Sequence, residues 1–305
     1  MKAENKVVAA LDKLIDFIEK QHVAFHKHNG FPEHPVAVKY HQKYFSHATV
    51  HETATVREKV SEQTEATNKP SETVANREKI EYLLTNSPVK RIRKLPYKGM
   101  HESRKMILRG DIAGVWKPSY KRLRRNEVAA YEIAKIIGLG HMVPPTIERT
   151  INDRTGSLQH FIEDTDNYYV SYAGTESRVS KDDIDDGAFF DTLIGSADRH
   201  DGNILVKNGR AVLIDNGAIF SKYRARSAFI GDGGAMQQRH MDMLIHFVDT
   251  LNKDKNIRNK LLSIVDSDDF GTLVKNAEAM LKQGSINKYF HDFDITHLEG
   301  EVLTP

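Results

Sequence analysis

The spacing of apolar positions marks most elements of the chain. Residues 7–22 place Val7, Leu11, Leu14, Ile15 and Ile18 at helical intervals with charges between them. This predicts an amphipathic helix whose stripe packs on the main body or on a partner. Residues 126–139 carry a broader face of Val128, Tyr131, Ile133, Ala134, Ile136 and Ile137. Asn126 reads as its N-cap, and Gly138 and Gly140 end it. Residues 181–197 predict a helix with Phe189, Phe190, Leu193 and Ile194 toward a core. Asp182, Asp183, Asp185 and Asp186 crowd its first turn, where the macrodipole favours carboxylates. Their order is not that of an EF-hand loop. Residues 241–251, 257–265 and 270–281 predict three more amphipathic helices. Strand patterns occur at 106–108 and 112–117 about Arg109-Gly110-Asp111, then from Val143-Pro144-Pro145-Thr146 to 150, with a turn at 152–156 and a return at 157–163. Apolar runs at 204–206 and 211–214 flank Asn208-Gly209, a hairpin signal because both turn positions need positive φ.

Polar stretches divide these elements. Residues 52–76 are rich in Thr, Glu, Lys and Ser, with Pro70 among them, and read as a linker. Ser71 can cap a short helix running through Leu84. Lys90, Arg91, Arg93, Lys94 and Lys98 form a basic cluster, either a solvated face or a dock for an acidic partner. The organisation expected is an N-terminal helical and linker extension, 1–87, a small β-rich lobe, 88–163, and a helical lobe, 164–305. The fold class is α+β.

Composition narrows the chemistry. The 305 residues contain no cysteine, which excludes disulfides, thiolate zinc sites and thiol nucleophiles. A formal net charge of +2 gives no global case for nucleic acid. No run reaches membrane-spanning length and the N-terminus lacks a signal-peptide core, which fits a cytoplasmic setting, the cell's own or a host's. His22 and His26 lie one helical turn apart in a histidine-dense stretch. They could share a metal, or they are surface histidines.

The hairpin folds the chain back on itself, so Asn203 and Asp215 share its open end and Asp198 sits just upstream. That spacing suits phosphoryl transfer, which needs a proton acceptor for an attacking hydroxyl and oxygen ligands for Mg²⁺ on ATP phosphates. Lys117 ends the 112–117 strand and would meet those phosphates as a point charge. Glu127 is its natural partner, with Glu132 as the alternative. The Gly110 turn is the candidate cover for the phosphates. Gln159, His160, Phe161, Ile162 and Glu163 lie where the strand would leave the small lobe for the large one, which is similar to the place of the kinase hinge whose backbone reads adenine. Gly231, Gly233 and Gly234 mark a loop after Asp215 in which Arg224 and Arg226 could recognise an acidic substrate or simply be solvated.

Read together, the V-W-K-P strand, the N-E-V-A-A-Y-E helix, V-P-P, G-S-L-Q-H-F-I-E, D-R-H-D-G-N, the hairpin and D-N-G resemble the atypical kinase superfamily of phosphatidylinositol 3/4-kinase-like, HipA-like and Fam20-like proteins. The nearest likeness is to small bacterial and phage-type members. The resemblance implies a two-lobed protein-kinase-like fold that uses ATP and Mg²⁺. It assigns Asp198 as the catalytic Asp, His200 as an assistant near the γ-phosphate, Lys117 to the α/β phosphates with Glu127 orienting it, and Asn203 and Asp215 to the metal. Asn216 stands where protein kinases have Phe, and no glycine-rich G-x-G-x-x-G is present. The expected activity is transfer of the γ-phosphate to a hydroxyl, on protein Ser/Thr rather than lipid. The rivals are a nucleotide-binding pseudokinase and an enzyme that transfers AMP.

Overall fold

The computed structural model describes residues 72–95, 102–168, 179–221, 225, 227–229 and 234–286. The expectations for residues 1–71, Lys98, Arg224, Arg226, Gly231, Gly233 and the tail from 287 fall outside them. From Ile80 onward the described residues belong to a single structural unit.

A helix, α1 (Glu72–Asn86), leads into β1 (Val89–Lys94), β2 (Arg104–Leu108) and β3 (Ile112–Pro118). After α2 (Lys121–Ile136) come β4 (Thr146–Ile151) and β5 (Arg154–His160). These five strands form one antiparallel sheet in the order β1-β2-β3-β5-β4. Alternation puts Met106, Leu108, Ile112, Trp116, Ile151 and Leu158 on one face, where they bury Leu84 of α1 among them. The opposite face carries Ala113, Val115 and Lys117, because successive side chains of β3 alternate.

The second lobe is mainly helical. It begins with the short strand β6 (Asp166–Asn167) and α3 (Lys181–Ile194). The β7 (Ile204–Lys207) and β8 (Arg210–Leu213) hairpin pairs with β6 as the outer strand. The rest is β9 (Gly234–Ala235), α4 (Gln238–Lys253), α5 (Lys255–Ile264), α6 (Ser267–Gln283) and β10 (Ser285–Ile286). Its core contains Phe189, Phe190, Phe247 and Phe270, and the apolar face of α2 packs into the same core. The result is the expected α+β fold, a β-rich small lobe followed by a mainly helical large lobe.

Three expectations are corrected. The helix expected at Asn126 begins at Lys121 after Tyr120, which makes no side-chain cap hydrogen bond. Asn126 lies inside the helix and is buried, so its amide serves another partner. The helix expected to run to 197 ends at Ile194, because Gly195 takes the left-handed conformation, φ +61°, that closes it. Its cap is Ser180, which accepts from Asp183 N at 3.1 Å. Its acids do more than complement the dipole: the Asp183 carboxylate accepts from Arg210 Nε and Ala211 N, and Asp186 accepts from Arg239 Nε at 2.8 Å.

Candidate active site

Register decides which loop serves which end of the sheet. Arg104 pairs with Trp116 and Lys94 pairs with Arg104, so the β1–β2 connection departs from the end that carries Lys117. Leu108 pairs with Ile112, which puts the Gly110 turn at the far end. The expectation that Gly110 covers phosphates beside Lys117 is therefore wrong. Sequence alone favoured Gly110 because its turn was legible, whereas the basic cluster that includes β1 read as a solvated face or a dock for an acidic partner.

Lys117 is held by two carboxylates. Its Nζ donates to Glu127 Oε1 at 2.7 Å and to Asp215 Oδ1 at 2.9 Å. Burial works to lower its pKa, but the charges and hydrogen bonds of Glu127 and Asp215 outweigh it and push it up to about 12. The choice between Glu127 and Glu132 is thus settled geometrically: Glu132 pairs instead with Lys135 and Lys260. Glu127 is almost wholly buried, and its second oxygen accepts from the backbone N–H of Asn216 at 3.1 Å. Asn126, beside it, donates Nδ2 to Gly217 O at 2.8 Å. Two consecutive residues of α2 thereby clamp the Asp-Asn-Gly backbone. Asp215 itself adopts φ +57°, a left-handed conformation that Asp tolerates better than most side chains and that commonly stores strain at functional sites. Its side chain is 55% exposed.

The loop before the hairpin is organised by a residue the sequence reading passed over. Arg199 is fully buried and paired with equally buried Asp191 at 3.1 Å. Its Nη1 donates to Asn203 O at 3.1 Å and Ile214 O at 2.5 Å, and its Nη2 donates to Asn216 Oδ1. One planar guanidinium with five donors thus joins α3, the Asp198–Asn203 loop and the approach to Asp215. Ser227 Oγ completes the Asp191 carboxylate at 2.6 Å. The buried Asn216 side chain thus serves a polar hub. A signal for Arg199 existed in its position between Asp198 and His200, but nothing in the sequence pointed it inward.

Asn203 is buried and donates Nδ2 to Asp198 O at 2.8 Å, which directs its carbonyl oxygen elsewhere. Asp198 and His200 are exposed on the same loop. His200 Nδ1 accepts from Gly202 N at 3.1 Å, so in the neutral ring the proton sits on Nε2. The backbones of Asn203 and Ile214 are joined by a 3.0 Å hydrogen bond from Ile214 N to Asn203 O. Asp198, Asn203 and Asp215 therefore flank one tied junction.

The hinge segment is only partly available. Gln159 is buried between β3 and β4 and donates Nε2 to Thr146 Oγ1 at 3.0 Å. His160 N donates to Pro145 O and Phe161 N to Ala113 O, at 2.8 and 2.9 Å. Burial, assisted by Lys207, lowers the His160 pKa, so the ring is neutral at neutral pH. Lys105 Nζ lies 3.5 Å from the Phe161 ring centroid and 3.0 Å from Glu163 Oε1. The residues beyond the committed donors are Ile162 and Glu163.

No family model and no curated protein matches the sequence. Among solved structures, the chain is similar to a Golgi casein kinase at 13% identity and TM-score 0.47, over 67% of this chain and 74% of that one. It is also similar to the Helicobacter pylori proinflammatory kinase CtkA at 12% identity and TM-score 0.43, over 73% of this chain and 99% of that one. At such identities the roles of individual residues rest on the geometry above.

Proposed function

We propose that the protein is an ATP- and Mg²⁺-dependent kinase that transfers the γ-phosphate to a protein Ser or Thr hydroxyl. The observation that carries this reading is Lys117, held at once by a buried helix carboxylate, Glu127, and by Asp215 of a strained Asp-Asn-Gly turn. Such a lysine stays charged at neutral pH and is oriented to pair with phosphates. Asn203 and Asp215 supply two hard oxygen donors. Among the described residues no set of three or more His, Asp or Glu side chains is grouped to hold a metal unaided. Two donors suit Mg²⁺, which keeps waters and takes further ligands from phosphates. Bound there, Mg²⁺ would neutralise charge on the phosphates.

In this reading Asp198 accepts the proton of the attacking hydroxyl, and its exposure leaves it open to a substrate. His200 donates Nε2–H toward the γ-phosphate. Glu127 orients Lys117, and Arg199 fixes the loop that carries Asp198 and Asn203. Adenine is read by the backbone of Ile162 and the N–H of Glu163, since the upstream donors are engaged and the Glu163 carbonyl accepts from Lys207 Nζ at 2.9 Å. A protein acceptor is preferred over lipid because the sequence carries no basic amphipathic membrane helix.

The test is incubation of the protein and a host lysate with Mg²⁺ and ATP labelled separately on the α- and γ-phosphates. Transfer of γ-label to protein is expected. Transfer of α-label would replace the reading with AMP transfer, and nucleotide binding with no transfer would replace it with a pseudokinase.

A further inference from the structure

The outermost strand β1 has one edge paired with β2 and no described strand on the other. Its sequence, VKRIRK, is exposed at every position after Val89. Among the described residues no carboxylate pairs with Lys90, Arg91, Arg93 or Lys94. Arg93 pairs across the ladder with Lys105 and Lys94 with Arg104, and like charges placed opposite each other weaken a sheet. Lys105 and Arg104 at least have Glu163 and Glu102. The β1 cations have no such compensation. An edge strand with no described strand on its outer side and no described carboxylate against its cations is a site for strand addition by an oppositely charged chain.

The opposite edge strand supports this. A cavity of about 480 Å³ lies between residues 89–92 of β1 and residues 149–152 at the end of β4. Residues from both edge strands of the sheet thus line it. Lys90, Arg91 and Arg149 line it, and no carboxylate does. Arg149 is anchored by the carbonyls of Leu84 and Ser87, so its position is set before any ligand arrives. Ile92 adds an apolar contact, 38% exposed.

We propose that β1 is a docking edge for an extended acidic segment of a partner protein, which adds as a strand and places carboxylates against Lys90, Arg91 and Arg149. A strand matches the outer edge of β1 in the described sheet, which a nucleic acid does not. The net charge of +2 over the whole chain gives no wider basic surface for a polyanion. The site centres on residues 89–92, toward the end of the sheet opposite Lys117, and needs no nucleotide.

The test is binding of a fluorescein-labelled peptide of alternating Glu and Val, about ten residues long, to the full chain at low salt without ATP, followed by anisotropy. The Lys90→Glu/Arg91→Glu variant is compared, with the milder Lys90→Ala/Arg91→Ala pair as a second variant in case charge reversal perturbs folding. Lys/Val peptide and single-stranded DNA of equal charge are the controls. The expected result is saturable binding, at least about tenfold weaker in the reversed variant, with amide-exchange protection at residues 89–94. No Glu/Val binding, unchanged affinity in both variants, or DNA binding as tight as the peptide would each overturn the proposal.

Discussion

Asn126 donates its side-chain amide to the carbonyl of Gly217, 2.8 Å away, from inside the second turn of α2. Glu127, the next residue, accepts from Asn216 N and holds Lys117. The helix thus sets the lysine and the Asp-Asn-Gly turn together. Moving one moves the other.

Asn126→Ala leaves a buried carbonyl without its donor. A loss of about 1–3 kcal/mol in stability is expected. Asn126→Asp is expected to cost at least as much, because a carboxylate cannot donate. Urea unfolding of both variants, with the slope unchanged, checks this. Parent-like stability in Asn126→Ala would mean the amide does not anchor the turn.

Lys117 cannot be removed without consequence for the fold. Its loss strands the Glu127 carboxylate, whose side chain is 4% exposed. Breaking such a pair from one side costs about 3–5 kcal/mol. Lys117→Ala is therefore expected to be markedly destabilised. Lys117→Met/Glu127→Gln should recover most of the loss, since the Gln oxygen still accepts from Asn216 N. Neither variant should transfer phosphate. Denaturant unfolding of the three proteins separates structure from chemistry. If Lys117→Ala is as stable as the parent, Glu127 does not carry a buried charge.

How far the sequence was legible follows from how local each signal was. The hairpin could be read because Asn208 and Gly209 take φ +52° and +74°, as the turn demands. Lys117 at a strand end and the Asp198–Asn203 spacing were equally local. Asn126 misled, since a good cap residue also makes a good buried donor and only packing tells which. Lys117 and the Gly110 turn lie at opposite ends of β3, a relation set by the local β2–β3 hairpin, whereas the β1–β2 pairing that brings another connection to the Lys117 end had no signal in the sequence. Arg199 and Asp191 are a buried pair eight residues apart, and charged residues at that separation look like surface until tertiary structure encloses them.

Asp186 gives a pH signature. Burial alone would raise its carboxyl pKa, but hydrogen bonds from His240 and Arg239 outweigh it and hold the value below the ordinary 3.8. A depressed carboxylate contributes stability that is present above the unfolded value and lost as pH falls through the folded one. Asp186→Asn should therefore be less stable than the parent by about 1.5–3 kcal/mol near neutrality. The gap should narrow below pH 3.8. Denaturant midpoints for both proteins across the acid range test it, and a gap independent of pH would show that the charge does not matter.

The final expectation separates proton handling from nucleotide binding. Asp215 touches Lys117 and lies where the metal and phosphates are proposed. Asp198 is tied to this junction only through its backbone carbonyl, which accepts from Asn203 Nδ2. Asp215→Ala should therefore lose metal-dependent ATP binding along with turnover. Asp198→Asn preserves the side chain's size and leaves that carbonyl in place, but it removes the negative charge and the proton acceptor. Its ATP affinity should stay within a few-fold of the parent's, while turnover falls by about 10²–10⁴, the usual worth of a positioned base. Calorimetric titration with ATP and Mg²⁺, beside γ-label transfer, measures both quantities on both variants. Full turnover in Asp198→Asn would take the proton from this residue and hand it to His200 or Asp201. Equal loss of ATP affinity in the two variants would mean that both carboxylates bind nucleotide and neither acts as a base alone.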